Sequence, residues 1–161
     1  MSETAQAYWV ILLTLFVAAV FAVMPLARGL VWWRPEWILL VLIYWTIALP
    51  HRLGMLTALC VGFIVDVMEG AAIGQNMLSF ALVIILARLM YQRLRVFSSL
   101  QQASVIFVLA GIHQLIGQWL HGLQGGGATS FIFLLPALTS ALLWPLLMPI
   151  LRGLRRGFGV S

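Results

Sequence analysis

Hydrophobic residues run through this chain in long blocks, broken by short groups of arginine, acid, proline and glycine. No residue between Glu3 and Arg28 is charged, and positions 8–27 suffice to cross about 30 Å of hydrocarbon as a helix. This block follows Glu3 rather than basic residues, and at about 20 residues it exceeds a signal-peptide core, so it reads as a retained span. Next comes Trp32-Trp33-Arg34-Pro35-Glu36-Trp37, with tryptophans suited to the headgroup zone and Pro35 suited to a first helical turn. Glu36 there favours the positive end of the helix dipole. A second helix over 35–49 is only about 22 Å long, short for a full crossing. Pro50-His51-Arg52 makes a tight turn, and a third short helix over 53–68 ends where Glu69, Gly70 and Gly74 loosen the backbone. Whether these two helices span or form a re-entrant pair, the chain leaves them on the side where it entered.

A fourth helix over 75–91 ends among Arg88, Arg93 and Arg95, and from Val96 to Leu151 no residue carries a formal charge. Gly125-Gly126-Gly127 divides that stretch into helices over 97–121 and 130–151. The pattern predicts an all-α integral membrane protein, a single polytopic domain over 1–161 with about six transmembrane helices. Composition agrees: 63% of the 161 residues are hydrophobic, 8% are charged, and the mean hydropathy is +1.09. A soluble domain needs about a quarter charged residues to solvate its surface. Soluble enzymes, disordered tails and DNA-binding modules are thereby excluded. The net charge of +5 comes from nine basic residues, all arginines. They cluster at the ends of apolar blocks, which is a topology signal rather than a nucleic-acid signal. With both termini in the cytoplasm, Arg52, Arg88, Arg93, Arg95, Arg152, Arg155 and Arg156 lie inside and only Arg28 and Arg34 outside. Cys60 is the sole cysteine, so no intrachain disulfide forms.

In the third helix Gly54, Ala58, Gly62, Asp66 and Gly70 recur every four residues and form one ridge. Small residues on such a ridge let another backbone come close, either within the chain or from a partner. Asp66 is a site candidate because a carboxylate in a span is costly and faces protein or water, unless it sits solvated at the helix end or caps the loop at Gly70. Arg88 misses it by about 12 Å in depth and snorkels to the headgroups. His113 lies near its level, so a hydrogen bond or ion pair from Asp66 to His113 or Gln114 is expected. The fifth helix is polar in its second half, with His113, Gln114, Gly117, Gln118 and His121 at spacings that face protein or a cavity. A metal site of His113, His121 and Asp66 is conceivable, but the spacing matches no ligand motif. No lysine, acid pair or nucleophile elbow points to catalysis, and Ser98, Ser99 and Ser104 fit capping at a helix start. Gly125-Gly126-Gly127, followed by Ala128-Thr129-Ser130, is a flexible turn rather than a phosphate loop.

Several blocks together resemble the rod shape-determining protein MreD family. They are Arg34-Pro35-Glu36-Trp37-Ile38-Leu39-Leu40-Val41-Leu42-Ile43-Tyr44-Trp45, Ala48-Leu49-Pro50-His51-Arg52, Gly62-Phe63-Ile64-Val65-Asp66 and Gly70-Ala71-Ala72-Ile73-Gly74. Leu143-Trp144-Pro145 adds a weaker match in the last helix. The resemblance implies a non-enzymatic scaffold of the bacterial inner membrane that serves cell elongation, with no cofactor and no nucleic acid. It implies association with the bitopic protein MreC. MreB and the peptidoglycan synthase pair of a SEDS glycosyltransferase and a class B penicillin-binding protein are reached directly or through MreC. The family is also similar to the S components of ECF transporters, which implies that fold and, as the alternative function, a vitamin-binding transport subunit. Arg34, Pro35, Trp37, Pro50, His51, Arg52, Gly54, Ala58, Gly62, Asp66, Gly70, Gly74, His113 and Gln114 are the candidate interaction or structural residues. A scaffold needs an exposed groove, whereas a transport subunit needs an enclosed polar cavity.

Overall fold

The computed structural model describes residues 2–127 and 130–160. Ala128 and Thr129, in the expected flexible turn, lie outside the described residues. Six α-helices follow in order, α1 (Glu3–Val23), α2 (Trp37–Ala48), α3 (Met55–Glu69), α4 (Gln75–Val96), α5 (Ser99–Leu123) and α6 (Leu135–Gly157), and no strand occurs among the described residues. Two 3₁₀ segments, Arg28–Trp33 and Phe131–Leu134, lead into α2 and α6. Five segments are long and apolar enough to cross a membrane. The second of them combines the first 3₁₀ segment with α2, while α3, at 15 residues, is the exception.

Local chemistry moves most helix ends away from their expected positions. α1 begins before residue 8 because Ser2 caps it, accepting from Ala5 N–H at 3.4 Å, and it stops before residue 27 because Pro25 cannot continue it. Pro35 does not enter the first turn of α2. Glu36 is the N-cap with φ −80° and ψ 69°, and its own N–H donates to Ser140 Oγ at 2.9 Å instead of serving the helix. α4 runs on to Val96, which puts Arg93 and Arg95 in its last turn, where the dipole favours cations. α5 starts at Ser99 through a capping box made by Ser98 and Gln101. α6 starts later than residue 130 and continues through the arginines to Gly157, accommodating Pro145 and Pro149 in its interior.

α2 is the centre of the bundle. Every residue from Ile38 to Ile47 is buried, and the helix packs on α1, α4 and α6. That burial follows from its composition, since a helix apolar on all sides has no face to offer water. Two indole N–H groups tie the layers: Trp45 donates to Thr14 Oγ1 on α1 at 2.8 Å, and Trp144 of α6 donates to Gln102 Oε1 on α5 at 3.1 Å. Gln102 in turn donates to Leu94 O at the end of α4 at 2.7 Å.

The contacts also sort the two ends of the bundle. At one end the Arg52 guanidinium sits 5.9 Å from the Tyr8 ring centroid, and Arg95 donates to the carbonyls of Ile47 and Ala48 at 3.0 and 2.9 Å. Arg152 and Arg155 share a cavity with Arg95 there. At the opposite end Glu36, Asp66, Glu69, Asn76 and His113 gather. α1 starts and α6 finishes at the basic end. α3 connects the two ends, since Gly54 lies beside Arg88 while Asp66 bonds the loop that starts α4.

Candidate functional site

The acidic end contains a connected set of buried polar groups. Asp66 is 1% exposed, and its two carboxylate oxygens accept from the backbone N–H groups of Gly74 and Asn76, each at 2.9 Å. Gly74 is the N-cap of α4 and Asn76 lies in its first turn, whose N–H groups otherwise lack partners, so the carboxylate caps a neighbouring helix and meets its positive dipole end. The loop can deliver those amides because Gly70 and Gly74 take positive φ values of 64° and 104°. Gly70 ends α3 in a left-handed conformation, and Ala71 N–H closes back on Asp66 O at 3.0 Å. Asn76 Nδ2 then donates to Glu69 Oε2 at 3.1 Å.

A second branch runs through α5. Ser79 Oγ donates to Asn76 O at 3.2 Å and lies 2.8 Å from His113 Nδ1. A hydroxyl has one proton to give. With that proton on Asn76 O, Nδ1–H is the donor to Ser79. The other ring nitrogen, Nε2, lies 3.6 Å from Glu36 Oε2 and forms an ion pair when the imidazole is protonated. Gln114 Nε2 donates to the other Glu36 oxygen, and the Phe80 ring lies 5.1 Å from the His113 ring. Glu36, at the start of α2, thereby binds α5 through its side chain and α6 through its backbone.

The expected partnership of Asp66 with His113 or Gln114 is therefore corrected. All three lie at one end, but Asp66 faces the α4 amides whereas His113 and Gln114 face Glu36. Axial depth is similar for both carboxylates, and the side of the helix each occupies decides the pairing. The conceivable metal triad does not assemble: Asp66 is committed to amides, His121 is exposed, and no three His, Cys, Asp or Glu side chains gather as ligands among the described residues.

The remaining candidates fall elsewhere. Arg34 donates to the carbonyls of Ala22 and Met24 at 2.7 and 2.6 Å and so closes the end of α1, leaving its buried Nε without a partner. Pro35 precedes the N-cap of α2, and Trp37 stacks on Phe21 with ring centroids 5.0 Å apart. Pro50, His51 and Arg52 form the turn between α2 and α3 and line a pocket of about 220 Å³ with Tyr91 and Arg95. Gly54, Ala58 and Gly62 face α4 of the same chain. A Cβ on Gly62 would lie 2.6 Å from Met77 Cα and 2.8 Å from the Asn76 carbonyl carbon. Sequence reading missed the roles of Glu36, Asn76, Ser79, Ser140 and Arg95. Its one available signal was the shared depth of Glu36 with the polar half of α5.

A hollow of another kind lies on the side of the bundle. α1 packs on α2 and α3 packs on α4, which leaves between α1 and α3 a lateral cleft of about 970 Å³. It runs along α1 from Trp9 and just past its end to Pro25, its other wall is Val61, Ile64, Val65 and Met68, and Ile38 forms the floor. No charged or hydrogen-bonding side chain other than the Trp9 indole lines it.

The profile of the rod shape-determining protein MreD family matches residues 3–154. The chain belongs to the MreD family. It is 28% identical over 156 residues to the rod shape-determining protein MreD of Haemophilus influenzae (strain ATCC 51907 / DSM 11121 / KW20 / Rd), with 92% of each chain covered. No solved structure matches it. A family of rod-shape determination and a bundle of membrane-spanning helices are thus joined in one molecule, as the blocks around Arg34, Arg52, Asp66 and Gly74 led us to expect.

Proposed function

We propose that this MreD-family chain is a non-enzymatic scaffold of the bacterial inner membrane that binds MreC through the cleft between α1 and α3. In this reading the membrane helix of MreC lies along α1, and the complex organises or regulates the SEDS glycosyltransferase and class B penicillin-binding protein, with MreB on the cytoplasmic side. The cleft is the observation that carries the proposal. On α1 it extends from Trp9 to Val23, as helix roughly 21 Å, and Met24 and Pro25 carry it further, so it covers most of the thickness a membrane segment must cross. Helices in lipid associate through close packing, and a long apolar groove between two helices that pack mainly on other neighbours offers such a surface. The polar groups that a transport subunit would turn toward a small molecule are instead bonded to one another around Glu36 and Asp66. The S-component likeness and its vitamin ligand thus remain the rival outcome of the test.

Purification from detergent followed by mass spectrometry separates the two. The wild-type chain is expected to bring down MreC, while Ala19→Trp, which fills the cleft, lowers the MreC yield about tenfold or more without lowering its own. A co-purifying vitamin in place of MreC would overturn the scaffold reading. The arrangement of charge supports placing the basic end, and with it both termini, in the cytoplasm. Reporter fusions at the C-terminus and after Arg95 are then expected to register the cytoplasm, and one within Gly125-Gly126-Gly127 the outside. An external C-terminus would contradict that topology.

A further inference from the structure

At the basic end, a cavity of about 260 Å³ opens between α2, α4, α5 and α6, lined by Tyr44, Arg95, Gln102, Trp144, Arg152 and Arg155. It is lined by three guanidinium groups and no carboxylate. Of the four carboxylate side chains, Glu36, Asp66 and Glu69 belong to the cluster at the opposite end, and Glu3, in the first turn of α1, does not line the cavity. The side chains around the cavity divide into committed and uncommitted groups. Gln102 is satisfied by Leu94 O and the Trp144 indole, and Arg95 spends two of its N–H groups on the carbonyls that end α2.

Arg152 makes only a 3.9 Å contact to the Met148 sulfur, and Arg155 makes no hydrogen bond or ion pair with any described residue. Tyr44 also lines the cavity, and its hydroxyl makes no hydrogen bond to a described residue and is open to the cavity. Two guanidiniums without an oxygen partner among the described residues, a third with N–H groups to spare and a phenol donor form a set that matches phosphate oxygens.

We propose that this cavity binds the phosphate of an anionic membrane lipid, with the headgroup among Tyr44, Arg95, Arg152 and Arg155. A lipid rather than a dissolved phosphate is favoured by position. The cavity lies where the apolar runs of α2 and α6 give way to arginine, the depth at which headgroup phosphates sit. Basic pockets between membrane helices suit such headgroups. The site stands apart from the α1–α3 cleft, so its fate is independent of how MreC is bound.

The test uses the full chain in nanodiscs of mixed phosphatidylglycerol and phosphatidylcholine, with retained lipid counted by native mass spectrometry. The wild type is expected to retain phosphatidylglycerol in preference to phosphatidylcholine. The double variant Arg152→Gln/Arg155→Gln should lose that retention roughly tenfold or more, as expected for lost charge-assisted hydrogen bonds. Arg88→Gln/Arg93→Gln removes equal charge from exposed arginines outside the cavity and should change retention by less than about twofold. Tyr44→Phe, which keeps the ring and the packing, should reduce it severalfold and provides the answer if the double variant fails to fold. Equal loss in both double variants, or no preference between the two lipids, would overturn the proposal. So would retention of inorganic phosphate in discs of phosphatidylcholine alone without any lipid preference, which would assign the cavity to a soluble anion.

Discussion

Gly62→Leu is expected to abolish accumulation of the folded protein, whether or not MreC is co-expressed. Even the first side-chain carbon at position 62 would come within 2.6 to 2.8 Å of Met77 Cα, Met77 N and the carbonyl carbon of Asn76, all backbone atoms that cannot rotate away. The adjacent Asn76 N–H is held on Asp66, so moving that segment also breaks the cap of α4. Overpacking of this kind costs about 3 kcal/mol or more, a large share of the roughly 5–15 kcal/mol that holds a domain folded. Gly111→Ala is the matched control, since nothing lies within 4 Å of the Cβ it would add. Membrane levels by immunoblot, together with size-exclusion behaviour in detergent, decide the matter. Normal yield and a sharp elution peak from Gly62→Leu would mean that α3 and α4 do not meet along this ridge.

Asp66→Leu should be nearly as damaging, and Asp66→Asn clearly milder. Leucine leaves two amides, those of Gly74 and Asn76, without acceptors in a buried place, at about 1–3 kcal/mol each. Asparagine keeps one accepting oxygen, points its own N–H₂ at the other amide and gives up the attraction to the helix dipole, for about 1–3 kcal/mol in all. The ranking of wild type, Asn and Leu should appear in thermal unfolding and in rod-shape complementation. Hydrogen exchange should show the loss concentrated in the 70–76 segment. His113→Ala, by contrast, should leave exchange in that segment close to wild type, because His113 is bonded to Ser79 and Glu36 rather than to Asp66. Indistinguishable behaviour of all three residues at position 66 would remove its capping role.

What the sequence made legible was whatever depends on runs of one residue type. The spans α1, α4 and α5 follow from apolar stretches with no charge inside them, and the central place of α2 follows from ten successive apolar or uncharged residues that could only be buried. Helix ends were less legible because single caps and prolines set them. Glu36 is an example: read as a dipole-friendly first-turn residue, it proves to be an N-cap whose N–H and carboxylate both serve other helices. The arginines show a second limit. Arg34 and Arg95 carry a topology signal in the sequence, yet each also reaches back to close the carbonyl end of a helix, Arg95 across nearly fifty residues to Ile47 and Ala48. Counting depth along helices brought Asp66 and His113 to one level but gave no information about the direction each faces. The α1–α3 cleft was invisible for a related reason, since it depends on each of its two walls packing mainly on another helix.

The central claim, that this cleft receives the membrane helix of MreC, is tested most directly by site-specific photo-crosslinking in living cells. A benzophenone side chain is placed at Phe16 or Ile64, exposed positions on opposite walls of the cleft, and at Leu115 or Leu142, exposed positions on α5 and α6. MreC adducts are expected from Phe16 and Ile64 and none from Leu115 or Leu142. Adducts confined to Leu115 or Leu142, or only lipid adducts at Phe16 and Ile64 while MreC still co-purifies, would contradict it.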